Sequence, residues 1–374
     1  MFFCIHVKLI NMSKKKAETN LTNDSLLKNL IGIKNITIAT ETIPTGIKVL
    51  DAILNGGIMK RAINLITGVT GCGKSQLALQ IAKQFKEYGH SVLYFDIEMS
   101  ITKQRIKHFN LDMDTIISYT YTIEEFDRDV LDNIKLAFEK NPDLKLLIVI
   151  DSISALRSAK ILDAQIDDNL QPGIEAKYLT YLLNKLLRLV STYDLTVLLT
   201  AHLKQNIVMP MQSTHGTLVD SGYRIPGGAA LQYLTSQLLS LRKKQVKSIG
   251  GFDIKYVEVK ILKSRLAPSD KTVTLIYSDH HGFFDLLTNI VFLLENNVIT
   301  QSAGRYTLPF LDKKITLKEI IQEYKNNTEF KEKFDALVEK YIYEIITKPL
   351  LGKDENVNAE EAIIENIPDD DFEL

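Results

Sequence analysis

Short apolar runs punctuate the chain from Ala62 to about Leu241. Ile63–Thr67, Val92–Phe95, Leu146–Ile150 and Leu195–Thr200 are hydrophobic or β-branched almost throughout, and each breaks off into turn or polar residues. Between them lie helical patterns, in which for example Ile123, Phe126, Val130 and Ile134 recur at the roughly 3.6-residue spacing of one helix face. Strands that are apolar on both faces and alternate with helices predict a mostly parallel sheet covered on both sides. Beyond Leu241 the pattern lengthens into alternating stretches, Phe252–Leu262 and Lys271–Tyr277, separated by turn signals; these predict antiparallel strands added to the same sheet. Residues 283–350 read as helical. Residues 13–30 are polar and lysine-rich and end in apolar spacing at Leu26, Leu27 and Leu30, an arm with one short helix. There is no internal repeat.

Composition adds little until charge is divided along the chain. The 374 residues are 45% hydrophobic and 24% charged, which excludes a disordered or collagen-like polymer. The net charge is −1, yet Asp354 to Leu374 hold nine acids and no Lys or Arg, leaving a body with 45 basic against 37 acidic residues, a net of +8. A basic body with an acidic tail predicts an anionic partner, and a tail too polar to fold alone that competes with that partner. Two cysteines, Cys4 and Cys72, argue against a disulfide-stapled secreted fold. No apolar run approaches the ~18–20 residues needed to cross a bilayer, so no membrane partner is expected.

Candidate chemistry gathers at the ends of the predicted strands. Gly68-Val69-Thr70-Gly71-Cys72-Gly73-Lys74-Ser75 fits G-x-x-x-x-G-K-S/T between a strand and a helix. Glycines let backbone N–H groups wrap phosphates, and the helix adds its positive end. Lys74 reaches the β- and γ-phosphates in such a loop, and Ser75 supplies a hydroxyl to Mg²⁺. Two further strands run into acids, Phe95-Asp96-Ile97-Glu98 and Ile150-Asp151-Ser152. Ligands of open parallel sheets bind at the carboxyl ends of strands, which predicts Glu98 and Asp151 beside the loop. Asp151 suits the Mg²⁺ shell, and Glu98 suits polarising a water for attack on the γ-phosphate. The competing reading for each is a solvated acid at a strand end.

The order of these motifs resembles a known family. A phosphate loop, Asp96-Ile97-Glu98, Val149-Ile150-Asp151-Ser152, a strand into Thr200-Ala201-His202, the Gly227-Gly228 pair opening a helix, and Lys263-Ser264-Arg265 follow in sequence. Ile43-Pro44-Thr45-Gly46 with Leu50-Asp51 and Gly56-Gly57 leads in. Over about residues 36–310 the chain resembles the RecA-type strand-exchange recombinases, most closely the phage UvsX-like branch. That resemblance implies a RecA-like P-loop ATPase core, α/β, with a mostly parallel twisted sheet flanked by helices. The implied layout is a polymerising N-terminal arm at 1–35, the core at 36–282, a C-terminal helical region at 283–353 and a disordered acidic tail at 354–374. It implies a DNA-dependent ATPase using ATP and Mg²⁺ that forms a homo-oligomeric helical filament on single-stranded DNA and pairs it with double-stranded DNA, in recombination, repair and recombination-dependent replication. Mediator and single-strand-binding proteins are further implied partners. The implied place of action is the cytoplasm, at the nucleoid, or the host cytoplasm for a phage-encoded protein.

Residue by residue, the resemblance makes Glu98 the catalytic carboxylate and His202 the sensor of the γ-phosphate, a position where related proteins often carry Gln. Lys263 and Arg265 match a pair that reaches across a filament interface to the neighbour's ATP. Thr102 and Arg105 fall where adenine is contacted, although a tyrosine is usual at the second place. Two DNA loops are implied at about 157–173 and 204–228; the second carries Lys204, Met209, Met211, Arg224, Gly227 and Gly228. Arg242, Lys243, Lys244 and Lys260 match the set that holds the second DNA strand; alone they would read as a solvated basic rim. Two other functions compete: a RecA-fold ring ATPase or helicase, and a non-catalytic recombination mediator. The first usually carries a larger N-terminal domain than residues 1–35 provide, and the second typically lacks the loop lysine or the catalytic glutamate.

Overall fold

The computed structural model describes residues 41–163, 173–205, 223–226, 229–249 and 252–351. The expected N-terminal arm, the acidic tail, and Met209, Met211, Gly227 and Gly228 lie outside the described residues.

A short antiparallel pair, β1 (Thr42–Ile43) with β2 (Ile58–Met59), brackets helix α1 (Lys48–Ile53) and leads into the sheet. Then follow β3 (Ile63–Gly68), α2 (Lys74–Glu87), β4 (Ser91–Asp96), α3 (Lys103–His108) and β5 (Ile116–Ile117). The stretch containing Ile123, Phe126, Val130 and Ile134 forms a capped turn at Ile123–Glu125, a π-helical turn at Phe126–Leu131 and helix α4 (Asp132–Lys140), with all four apolar residues buried. The chain continues through β6 (Leu146–Asp151), α5 (Ile174–Thr192), β7 (Leu195–His202), β8 (Lys204–Gln205), β9 (Tyr223–Arg224) and α6 (Ala230–Leu234). Two long strands, β10 (Gln237–Ile249) and β11 (Phe252–Ser264), precede β12 (Thr272–Ser278) and β13 (Gly282–Phe283).

Nine of these strands form one sheet in the order β13-β12-β11-β10-β3-β7-β6-β4-β5. From β10 to β5 every neighbour is parallel; from β10 to β13 every neighbour is antiparallel. The period of two explains why the parallel strands read as unbroken apolar runs. Leu147 and Val149 of β6 pack with α1 and α2 on one face, whereas Leu146, Ile148 and Ile150 pack with α4 and α5 on the other. Both faces are dry, so neither can be polar.

Two expectations change. β10 runs on to Ile249, well past Leu241, because its outer half is basic and shows no apolar alternation; backbone pairing with β11 holds it in place. The region beyond residue 283 is not only helical. Helices α7 (Asp285–Glu295), α8 (Leu317–Asn326) and α9 (Thr328–Ile342) are joined by a three-stranded sheet of β14 (Thr300–Ser302), β15 (Arg305–Thr307) and β16 (Ile315–Thr316). Those strands are two or three residues long, too short for alternation to register in the sequence. Among the described residues no helix is long and apolar enough to cross a membrane.

Candidate active site

Four parallel strands deliver their carboxyl ends to one edge. Gly68 of β3 pairs with His202 of β7, and Asp96 of β4 pairs with Asp151 of β6. The phosphate loop springs from β3 and closes at Gly73, which caps α2 with φ +95. A β-carbon there would be strained and would stand 3.1 Å from the Tyr277 ring. The Tyr277 hydroxyl donates to Gly71 O at 2.9 Å, so β12 fixes the loop from its far side. Lys74 is 5% exposed and donates to Gly68 O and Val69 O, each at 3.0 Å; Cys72 is fully buried, and burial pushes its thiol up, away from the reactive thiolate.

His202 joins this loop to the carboxylate opposite. Its Nδ1 faces Lys74 Nζ at 3.4 Å, and its Nε2 stands 2.9 Å from Glu98 Oε1. An ammonium offers only protons, so Nδ1 carries the lone pair and Nε2–H donates to Glu98. The Ser152 hydroxyl donates to the same carboxylate oxygen. The His202 hydrogen bond, helped by Ser152 and opposed by partial burial, holds the Glu98 carboxyl down at about 2. Behind Glu98, the Asp96 carboxylate accepts from Ser100 N at 3.0 Å and Ile101 N at 2.9 Å, which fixes the turn that carries the glutamate.

Asp151 is 4% exposed and accepts from Tyr94 Oη at 2.7 Å and from the Thr200 hydroxyl. Those hydroxyls orient the carboxylate without neutralising it. The donor chemistry fits ATP with Mg²⁺: a loop of backbone N–H groups and an ammonium for phosphate, and hard oxygens from Ser75 and Asp151 for the cation. Among the described residues no group of three or more His, Cys, Asp or Glu could cage a metal. Mg²⁺ binds through one or two protein oxygens together with phosphate and water. Ser75 and Asp151 are the residues that would hold it.

Of the residues expected at the site, the structure brings Lys74, His202 and Glu98 into one chain of contacts and sets Asp151 at the end of the strand beside Asp96. Sequence reasoning missed Tyr94, Asp96, Ser152, Thr200 and Tyr277 as supports. Asp96 and Ser152 stand beside motif residues and could have been found; Tyr277, some 200 residues on, gives no signal. Thr102 is the N-cap of α3, its hydroxyl accepting from Arg105 N at 3.4 Å. Lys263 and Arg265 lie elsewhere. Lys263 pairs with Leu238, which pairs with Leu65, three residues before the loop begins at Gly68, and its ammonium donates to Gln232 O at 2.8 Å and Tyr233 O at 2.9 Å. The pair is not part of this protomer's own phosphate site.

Of the expected DNA-contacting residues that are described, Lys204 and Arg224 face each other across the β8–β9 ribbon and both are exposed. Like charges directly opposite on a ribbon destabilise it, so a nearby anion would relieve that strain. Arg242 and Lys243 are exposed on the β10–β11 hairpin. Lys244 instead contacts Thr274 Oγ1 at 3.1 Å with Glu258 at 3.5 Å and Glu295 at 3.8 Å, and Lys260 pairs with Asp270 at 3.0 Å.

The sequence profile of the RecA N-terminal domain matches residues 8–282. The RecA protein of Aquifex aeolicus (strain VF5) is 24% identical over 325 residues, covering 84% of this chain and 89% of that protein. The RecA protein of Aquifex pyrophilus is 26% identical over 275 residues, covering 72% of this chain and 74% of its own length. With the profile spanning most of its length, the chain belongs to the RecA family, whose members are DNA-dependent ATPases of recombination and repair.

Proposed function

We propose that this protein is an ATP-driven strand-exchange recombinase of the phage UvsX-like type. It assembles as a helical filament on single-stranded DNA and pairs that strand with homologous duplex. The observation that carries this reading is the continuity from loop to ribbon. The Lys74–His202–Glu98 contacts end at the last residue of β7, and the basic β8–β9 ribbon starts two residues later at Lys204. A change at the γ-phosphate that moves His202 is thereby passed to a DNA-facing segment through one residue.

In this mechanism Lys74 and the loop N–H groups bind the phosphates. Ser75 and Asp151 would hold Mg²⁺, which would neutralise charge on the phosphate oxygens. Glu98, held by His202 and Ser152, orients and polarises the attacking water. His202 holds Glu98 in place, and Lys263 and Arg265 complete the site of the next protomer, a cation in trans. The branch assignment rests on a histidine at this position.

Turnover with and without single-stranded DNA, together with negative-stain images, tests the reading. DNA-stimulated hydrolysis and open helical filaments support it. Closed rings would favour the ring ATPase, and filaments without hydrolysis would favour the mediator. Mixing Lys74→Ala protein with a Lys263→Ala/Arg265→Ala double variant tests the shared site: recovery of hydrolysis at mixed interfaces is expected, and no recovery at any ratio overturns the trans role.

A further inference from the structure

The phosphate loop is rich in glycine, so contacts from outside it are needed to set its shape. Gly71 and Gly73 have φ of +74 and +95, and neither has a side chain to restrict it. Within the loop the Lys74 ammonium holds Gly68 O and Val69 O, but it has to turn to the phosphates when these arrive. The Tyr277 hydroxyl on Gly71 O meets no such conflict. A trans peptide sends its C=O and N–H to opposite sides, so holding Gly71 O aims the Cys72 N–H away from Tyr277, as a phosphate cradle requires. Burial and the nearby Asp279 carboxylate push the Tyr277 hydroxyl up, which keeps it a donor.

Tyr277 is itself held by a residue of the long hairpin. Lys255 of β11 is the register partner of Tyr277 on β12, so the two side chains leave the sheet on one face. The Lys255 side chain is only 16% exposed. Its ammonium donates to the Asp279 carboxylate and lies 5.6 Å from the centroid of the Tyr277 ring. Phe283 stacks on the same ring, with centroids 5.1 Å apart. The turn that carries Asp279 grips the loop region a second time. Gln76, buried two residues after Lys74, donates to Asp279 O at 2.7 Å. One lysine therefore steadies both the ring that fixes the middle of the loop and the turn that ties down the start of α2.

Resting on the phosphate-site reading above, we infer that Lys255 is a positioning residue for the phosphate loop, acting through Tyr277 and Asp279 and not by touching nucleotide. The loop it steadies grips the phosphates before and during the reaction alike. Its loss should therefore weaken binding more than it slows the chemical step.

The test is direct binding of Mg·tripolyphosphate and Mg·ATP to the full-length protein, beside DNA-stimulated hydrolysis. Tripolyphosphate reads the loop without a base. Lys255→Met keeps the apolar stem and removes the ammonium. It should weaken both ligands by roughly 3–10-fold, the scale of one hydrogen bond, and raise KM with kcat within about twofold of wild type. Lys255→Arg should restore both ligands. Tyr277→Phe removes only the hydroxyl and should match Lys255→Met, and the two together should lose less than the product of their separate factors, since they act on one contact. Lys255→Met that binds tripolyphosphate like wild type, that weakens ATP alone, or that lowers kcat with KM unchanged overturns this inference and leaves the site reading standing. So does a loss that arginine does not rescue. If Lys74→Ala leaves tripolyphosphate binding unchanged, the phosphate-site reading falls and takes the inference with it.

Discussion

The carboxyl ends of β3, β4, β6 and β7 and the outer β10–β11 hairpin belong to one sheet yet handle polar groups in opposite ways. At the strand ends each charged side chain meets a defined partner: Lys74 its loop carbonyls, Glu98 both Ser152 and His202, Asp151 both Tyr94 and Thr200. On the hairpin Arg242 and Lys243 are exposed, with no partner for either among the described residues. A group that must act on one atom has to be held before the substrate arrives, since reorganising it costs rate. Groups that grip a repeating polyanion need charge and reach, and each contact is interchangeable with the next.

Removing one member of the held set should therefore have the largest effect. Glu98→Gln keeps the shape and the contact to His202 but loses the charge that aligns water. Turnover should fall by roughly 10²–10⁴ while nucleotide binding persists, as read by single-turnover hydrolysis beside a binding isotherm. Hydrolysis at the wild-type rate would show that another group aligns the water. Lys74→Ala should lose binding and turnover together, because its contacts are to the phosphates themselves.

The same contrast explains how much could be read from the sequence. The held set is legible because each member closes an apolar strand: Gly68 after β3, Asp96 before Glu98, Asp151 after β6, His202 after β7. Strand ends are visible as the point where hydrophobicity stops, and parallel topology collects them at one edge. The supports are not legible in that way. Tyr94 and Thr200 sit inside runs that read as core, and only the register shows their hydroxyls turned onto Asp151. The hairpin is hard to read for the opposite reason: Arg242 to Lys247 lacks the apolar alternation by which a strand is recognised. β14 to β16 are too short to carry any period.

His202 closes the held set next to the β8–β9 ribbon, and its loss should have an intermediate effect. His202→Ala should reduce DNA-stimulated turnover on the order of 10–100-fold by leaving Glu98 misplaced, while ATP binding changes less. The pH profile separates this from simple damage. With its carboxyl held at about 2 against an ordinary value of 4.5, Glu98 stays ionised at any pH where the protein is assayed. The stabilisation this gives the fold is present above about 4.5 and lost as pH falls through 2. In His202→Ala the main lowering influence is gone and burial remains, so the carboxyl rises and an acid limb should enter the activity profile. His202→Gln retains an N–H donor and should keep the wild-type limb. Identical profiles for Ala and Gln would mean the histidine does not set the state of Glu98.

The smallest expected effect lies on the hairpin, and salt resolves it better than affinity at one condition. Each phosphate neutralised on duplex DNA adds about 0.9 to the slope of log affinity against log salt. As proposed duplex contacts, Arg242 and Lys243 together account for a slope of roughly 1.8, which Arg242→Ala/Lys243→Ala should remove. Lys244 and Lys260 start from a different position, since Glu258, Glu295 and Asp270 already stand within 4 Å of their ammonium groups. Exposed ion pairs of this kind are weak, about 0–1 kcal/mol, but a lysine that leaves its carboxylate exposes an acid to the same DNA. Lys244→Ala/Lys260→Ala should therefore lower the slope by less than about 1. Duplex affinity measured across a salt titration for both double variants decides the matter. Equal losses of slope would mean that the local pairs give way to DNA and that partner counting does not separate the two sets of cations. Unchanged slopes in both would place the duplex elsewhere on the protein.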